Sequence, residues 1–151
     1  NRCEYILKLR LKHTGTQIYF VYRLTGPMEV TSVVNNGASL VCNVSTRTED
    51  EIQLVFWYKN SNATGPPIYT LDIRDTNPIH FISEPLKNRA MFNFSVRPPL
   101  LIISPVKQSD SGYYSCRADY KWSRTQSSTV KLNVIVTEHI TYFVYCAMRW
   151  S

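Results

Sequence analysis

Four cysteines, three histidines, one acidic triplet and three glycosylation sequons are the residues whose types could do chemistry in this 151-residue chain. The cysteines stand at positions 3, 42, 116 and 146. No two have the short spacing of a zinc site or a redox dithiol. His13, His80 and His139 are far apart, and only His80 falls in the central region, in a stretch that reads as loop. None has a nucleophile beside it that it could activate. Glu49-Asp50-Glu51 lacks the alternating ligand pattern of a calcium loop and reads as a solvated turn. No catalytic residue, metal or cofactor is expected. The sequons begin at Asn43, Asn62 and Asn93 (Asn-Val-Ser, Asn-Ala-Thr and Asn-Phe-Ser), and each would accept a glycan in a secreted chain.

The elements that must carry these residues read as strands. The chain is 44% hydrophobic and 13% aromatic, with 19% charged residues and eight prolines, a composition that fits one well-packed domain. Gly37 to Cys42 alternates Ala38, Leu40 and Cys42 on one face after the turn Asn35-Asn36-Gly37. Ile52 to Lys59, Ile68 to Ile73, Arg89 to Phe94, Leu100 to Ile103, Gly112 to Tyr120 and Ser128 to Val136 follow, separated by turn-forming runs. Asp75 to Asn88, with Pro78 and Pro85, reads as mostly loop with one short edge strand. Short strands punctuated in this way make an all-β sandwich or barrel.

Cys42, Trp57 and Cys116 then decide between architectures. Fifteen positions from Cys to Trp and fifty-nine from Trp to Cys is the spacing of a variable-type immunoglobulin domain. That resemblance implies two antiparallel sheets with Greek-key connections, a Cys42–Cys116 disulfide between them and Trp57 packed against it. A loop of this length closed by a disulfide stabilises the fold by roughly 4 kcal/mol on the chain-entropy model. Tyr114 occupies the tyrosine-corner position two residues before Cys116, and Leu101, Ile103 and Val106 have the spacing of inward residues before it. Arg89 and Asp110 are placed to form the ion pair typical of variable-type domains. A disulfide in the core implies an oxidising, extracellular compartment.

Longer strings are more specific. Phe56-Trp57-Tyr58-Lys59, Pro67-Ile68-Tyr69-Thr70-Leu71-Asp72-Ile73-Arg74, Asn88-Arg89-Ala90-Met91-Phe92, Tyr114-Ser115-Cys116-Arg117-Ala118-Asp119-Tyr120 and Val130 to Val136 resemble the first immunoglobulin domain of the Sidestep family. These are arthropod neuronal cell-surface proteins. The likeness covers about residues 30–136. It departs from the family pattern at Ser115, at Ala118, in the loop Lys121 to Gln126 and at Thr137-Glu138. The resemblance implies a single-pass membrane protein whose outermost domain binds Beaten path-type immunoglobulin receptors in trans, in axon guidance and cell adhesion. An immune-type or homophilic adhesion receptor domain is the alternative.

Strand alternation places a partner-binding face. With Trp57 and Cys116 inward, Phe56 and Tyr58 point out of one strand and Ser115, Arg117 and Asp119 out of its neighbour. Lys131 is expected beside them, and Tyr69 to join from the next strand. Aromatic residues with an arginine have the composition of a binding hot spot. Asn43 and Asn93 are expected on the opposite sheet, where glycans leave the Trp57 sheet free, and Asn62 at the margin of the binding sheet.

The formal charge of +6 is concentrated in a flank. Residues 1–26 carry a net +4, whereas residues 27–136 carry only +2. Nucleic-acid binding needs a clustered basic face, so none is expected. No run approaches the roughly 18 apolar residues of a membrane helix, and any membrane anchor is expected outside this stretch. Residues 27–136 are read as the domain. Residues 1–26 and 137–151 are flanks of unclear structure, read either as translated sequence around a single exon or as ends joined by Cys3 and Cys146.

Overall fold

The computed structural model describes residues 4–10, 17–21, 28–45, 49–136 and 141–147, with side-chain surroundings for 28–45 and 49–136. Twelve strands occur among them: β1 (Glu4–Arg10), β2 (Gln17–Val21), β3 (Met28–Val33), β4 (Ala38–Val41), β5 (Ile52–Tyr58), β6 (Tyr69–Asp72), β7 (Ile79–Ile82), β8 (Ala90–Asn93), β9 (Leu100–Ile103), β10 (Gly112–Tyr120), β11 (Gln126–Ile135) and β12 (Thr141–Ala147). The chain divides into two compact units, one of residues 27–136 and one of residues 1–26 with 137–151. In the second unit β1 lies between β12 and β2 in an antiparallel sheet, with Tyr5 opposite Cys146. A pairing of Cys3 with Cys146 lies outside the described residues.

The unit of residues 27–136 is a sandwich of a six-stranded sheet, β3-β11-β10-β5-β6-β7, and a three-stranded sheet, β4-β9-β8. The chain places β3 in the large sheet, β4 in the small, β5 to β7 in the large, β8 and β9 in the small, and β10 and β11 in the large, and all pairs but one are antiparallel. The exception is β3, which runs parallel to β11 from Met28 opposite Val130 to Val33 opposite Ile135. Its apolar alternation is short, Met28 and Val30 about Glu29 and then Ser32 as the one buried residue, so little in the sequence announces it.

The inner faces supply the core. Leu40, Leu101 and Ile103 from the small sheet meet Val55, Trp57, Leu71, Tyr114, Val130 and Leu132 from the large one, each almost fully buried. Cys42 and Cys116 join the two layers by a disulfide with 5.5 Å between their Cα atoms. Trp57 is the cross-strand partner of Cys116 and meets the Phe92 ring edge-on at 5.9 Å. The tyrosine corner is made: the Tyr114 hydroxyl donates to the Asp110 carbonyl at 2.6 Å. Burial pushes its phenol pKa up, so it stays a neutral donor at any ordinary pH.

Arg89 and Asp110 close the lower end. The guanidinium donates to both carboxylate oxygens, at 2.7 and 3.1 Å, and to the carbonyls of Pro105 and Pro85. The Lys107 N–H adds a third bond to the same carboxylate. Burial acts to raise the Asp110 pKa, but these bonds and the nearby charges of Arg89 and Lys59 outweigh it and hold it below the usual carboxylate value.

Candidate partner-binding face

The register across the large sheet defines what its outer surface offers, because residues directly opposite one another share a face. One row runs Ser127, Arg117, Phe56, Thr70, Phe81 across β11, β10, β5, β6 and β7. The next runs Asp119, Leu54, Asp72, Ile79. A third holds Thr129, Ser115 and Tyr58, and a fourth Glu29, Lys131 and Tyr113.

Arg117 is the hub of this surface. Its guanidinium lies 4.8 Å from the Phe56 ring centroid and 5.9 Å from that of Tyr58. It also donates to both oxygens of Asp119, at 3.1 and 3.2 Å. The planar group is thus held in one orientation by stacking and by a two-point ion pair. Lys131 contacts the Glu29 carboxylate at 3.4 Å and lies 5.8 Å from the Tyr113 ring. Towards the other edge Arg74 pairs with Asp72 at 2.6 Å, and its hydrogen bonds hold the Asp72 carboxyl below the usual range.

Three residues expected on this face are not available there. Tyr69 is only 2% exposed. It is the register partner of Trp57, so it points into the core with it. Its hydroxyl shares a 2.7 Å hydrogen bond with His80 Nδ1 and accepts the Phe92 N–H at 3.2 Å, and burial raises its pKa. Tyr58 and Ser115 do lie on the outward side, but both are buried. The turn after β5 folds over their row: Ser115 Oγ donates to the Asn60 carbonyl and Thr129 Oγ1 to that of Ser61. Phe56, Arg117, Asp119 and Lys131 are half-exposed, as an outward set requires.

Sequence reasoning missed Ile79 and Phe81. They stand on edge strand β7, 47% and 59% exposed, and extend the face beyond Phe56 and Leu54. His80 lies between them on this strand and not in a loop, turned inward to Tyr69. The Ile-His-Phe-Ile alternation was the available signal; Pro78 and Pro85 on either side obscured it.

The sequons also separate. Asn62 lies in the turn between β5 and β6, its side-chain oxygen accepting from Thr64 Oγ1 at 3.0 Å. Asn93 ends β8, on the small sheet as expected. Asn43 is exposed but stands two residues past the end of β4, and its N–H donates to Ser128 Oγ on β11. It therefore marks the margin between the sheets and not the outer face of the small one, because the β4 ladder has already ended.

The sandwich, its disulfide, the tyrosine corner and the parallel β3–β11 pair together define a variable-type immunoglobulin domain. The immunoglobulin V-set family model matches residues 25–135, and the chain belongs to that family. Among solved structures it is similar to murine CRIg, with 18% identity over 72% of this chain and 93% of that one and a TM-score of 0.61. It is also similar to the extracellular domain of the voltage-gated sodium channel beta4 subunit. There the identity is 15% over 77% of this chain and 97% of that one, with a TM-score of 0.55, and that domain forms parallel homodimers in cell–cell adhesion. No curated protein matches the sequence.

Proposed function

We propose that this domain is the extracellular recognition module of a cell-surface protein, and that it binds another immunoglobulin-superfamily receptor through the outer face of its six-stranded sheet. The observation that carries this reading is Arg117, held between Phe56, Tyr58 and Asp119 on the same sheet face as the exposed Ile79 and Phe81, three strands away on β7. A pre-ordered guanidinium on one face with exposed aromatic and aliphatic side chains has the composition of a hot spot, and fixing it beforehand lowers the entropy cost of association. The disulfide supports an extracellular setting, since cytosolic thiols stay reduced.

The finer reading is a Sidestep-like domain that meets Beaten path-type receptors in trans, in axon guidance and cell adhesion. It rests on the motif strings of residues 30–136. A second reading, homophilic adhesion, is favoured by one feature of the same face. Arg74, Arg117 and Lys131 are each matched by Asp72, Asp119 and Glu29, so the surface repels neither a second copy nor a neutral partner. Binding of the purified secreted chain to an array of immunoglobulin-superfamily ectodomains, with the chain itself among them, tests both. Capture of Beaten path-type ectodomains, abolished by Arg117→Glu, supports the first; self-capture alone supports the second. Binding that survives Arg117→Glu refutes the assignment of this face.

A further inference from the structure

The outer face of the small sheet is apolar where an exposed sheet face should be polar. Leu40, Leu101, Ile103 and Phe92 point inward and are buried. The residues between them form two rows across β4, β9 and β8, namely Ser39, Ile102, Met91 and Val41, Leu100, Asn93. Four of those six positions are apolar. Met91 is 57% exposed, and Val41, Leu100 and Ile102 are half-buried. The whole of β9 is Leu-Leu-Ile-Ile, the unbroken apolar run of a strand covered on both sides. Only one of its sides meets the core.

Asn93 stands in the second of these rows, opposite Leu100. Its side-chain oxygen accepts the Ser95 N–H at 3.0 Å, while its Nδ2 makes no hydrogen bond among the described residues. The sequon serine, Ser95, is exposed. Strand spacing of about 4.8 Å and a two-residue step of about 7 Å put Leu100, Val41, Ile102 and Met91 all within roughly 10 Å of this amide. That is the reach of the first sugars of an N-linked glycan.

We infer that Asn93 carries an N-glycan whose first sugars lie over Val41, Leu100, Ile102 and Met91 and serve as the missing cover of this face. In the attachment step Asn93 Nδ2 bonds to C1 of the first N-acetylglucosamine of a lipid-pyrophosphate-linked oligosaccharide. The C1–O bond to the carrier breaks, the lipid pyrophosphate leaves, and the amide gives up one proton. Pyranose rings present C–H faces as well as hydroxyls, so they bury apolar side chains while keeping a wet outer surface. Left bare, the patch is a self-association surface.

The test uses the full chain secreted from a glycosylating cell. Mass spectrometry of the 93-containing peptide should show the glycan. Folded protein should then be deglycosylated enzymatically, which avoids any folding defect of Asn93→Gln or Ser95→Ala. Its binding of an environment-sensitive apolar dye and its light-scattering mass should both rise several-fold, and Met91→Lys with Ile102→Lys should reverse the rise. An unoccupied Asn93, deglycosylation without change, or a change that the two lysines fail to reverse would each overturn the inference. Partner capture through Arg117 should be the same in every one of these samples, so the two proposals fail separately.

Discussion

Asp110→Ala removes a carboxylate that accepts three hydrogen bonds and balances a guanidinium in a nearly dry site. The side chains of Arg89 and Asp110 are only 12% and 6% exposed. After the substitution Arg89 keeps the carbonyls of Pro85 and Pro105 but loses its counter-charge, and the Lys107 N–H loses its acceptor. Breaking a buried pair from one side costs about 3–5 kcal/mol, and the residual exposure of Arg89 argues for the lower end, about 3 kcal/mol. For a domain of this size about 4 °C follows each kcal/mol, so the melting temperature should fall by about 12 °C. Asp110→Leu combined with Arg89→Met should recover most of that loss, because no unpaired charge remains.

The acid limb gives an independent reading of the same pair. The Asp110 carboxyl titrates lower in the folded state than in the unfolded chain, where an aspartate has a pKa of about 3.9. The unfolded chain therefore takes up the proton more readily. The pair's stabilisation is complete above about pH 4 and is lost as the pH falls through the folded-state value. Urea unfolding at pH 7 and at pH 3 should show a smaller gap between wild type and Asp110→Ala at the lower pH. An unchanged melting temperature in Asp110→Ala, or a gap that widens in acid, refutes the reasoning.

Three further outcomes follow from the geometry. Tyr69→Phe removes the hydroxyl shared by His80 and Phe92, so it should cost about 1 kcal/mol of stability and leave partner affinity unchanged, since the ring lies in the core. A loss of affinity without a loss of stability would return Tyr69 to the surface. Phe81→Asp puts a charge on exposed β7 and should weaken partner binding at least tenfold in surface plasmon resonance while moving the melting temperature by no more than 2–3 °C, within the usual range for surface changes. Replacing Cys42 and Cys116 together by alanine opens a link across 74 positions and should cost roughly 4 kcal/mol, enough to cut secreted yield sharply; a double variant that melts near the wild type would show the link to be dispensable.

The readable and unreadable parts of this chain differ in how many constraints meet at each residue. Cys42, Trp57, Tyr114 and Cys116 each answer to a covalent bond, a packing site or a hydrogen bond whose spacing along the chain is set by the sandwich itself. Their types and intervals together therefore leave little freedom. Arg89 and Asp110 are legible for the same reason, being partners at fixed distances from Tyr114. The inward residues Leu101 and Ile103 follow from period-two alternation once one neighbour is anchored, Val106 comes from the turn after that strand, and all three are fully buried.

Tyr69 shows where alternation stops being enough. Its direction depends on the register between β5 and β6, and that register is set by how many residues the turn from Lys59 to Ile68 uses. A slip of one position turns every side chain of β6 to the other face. The observed pairing of Trp57 with Tyr69 makes it a core residue, so the aromatic content expected on the outer face had to come from elsewhere. It comes from Phe81, which stands two strands across from Phe56 and whose place in the Ile-His-Phe-Ile alternation was obscured by Pro78 and Pro85 on either side. Tyr58 and Ser115 were directed correctly by alternation and still lost their exposure, because a turn distant from Ser115 in sequence lies over them. A strand fixes the side on which a residue emerges, whereas solvent access depends on what the rest of the chain lays over that side. The same distinction separates the two outer faces: one leaves Ile79 and Phe81 open on the sheet that carries the ordered Arg117, while the other sets Met91, Ile102, Leu100 and Val41 beside the sequon residue Asn93.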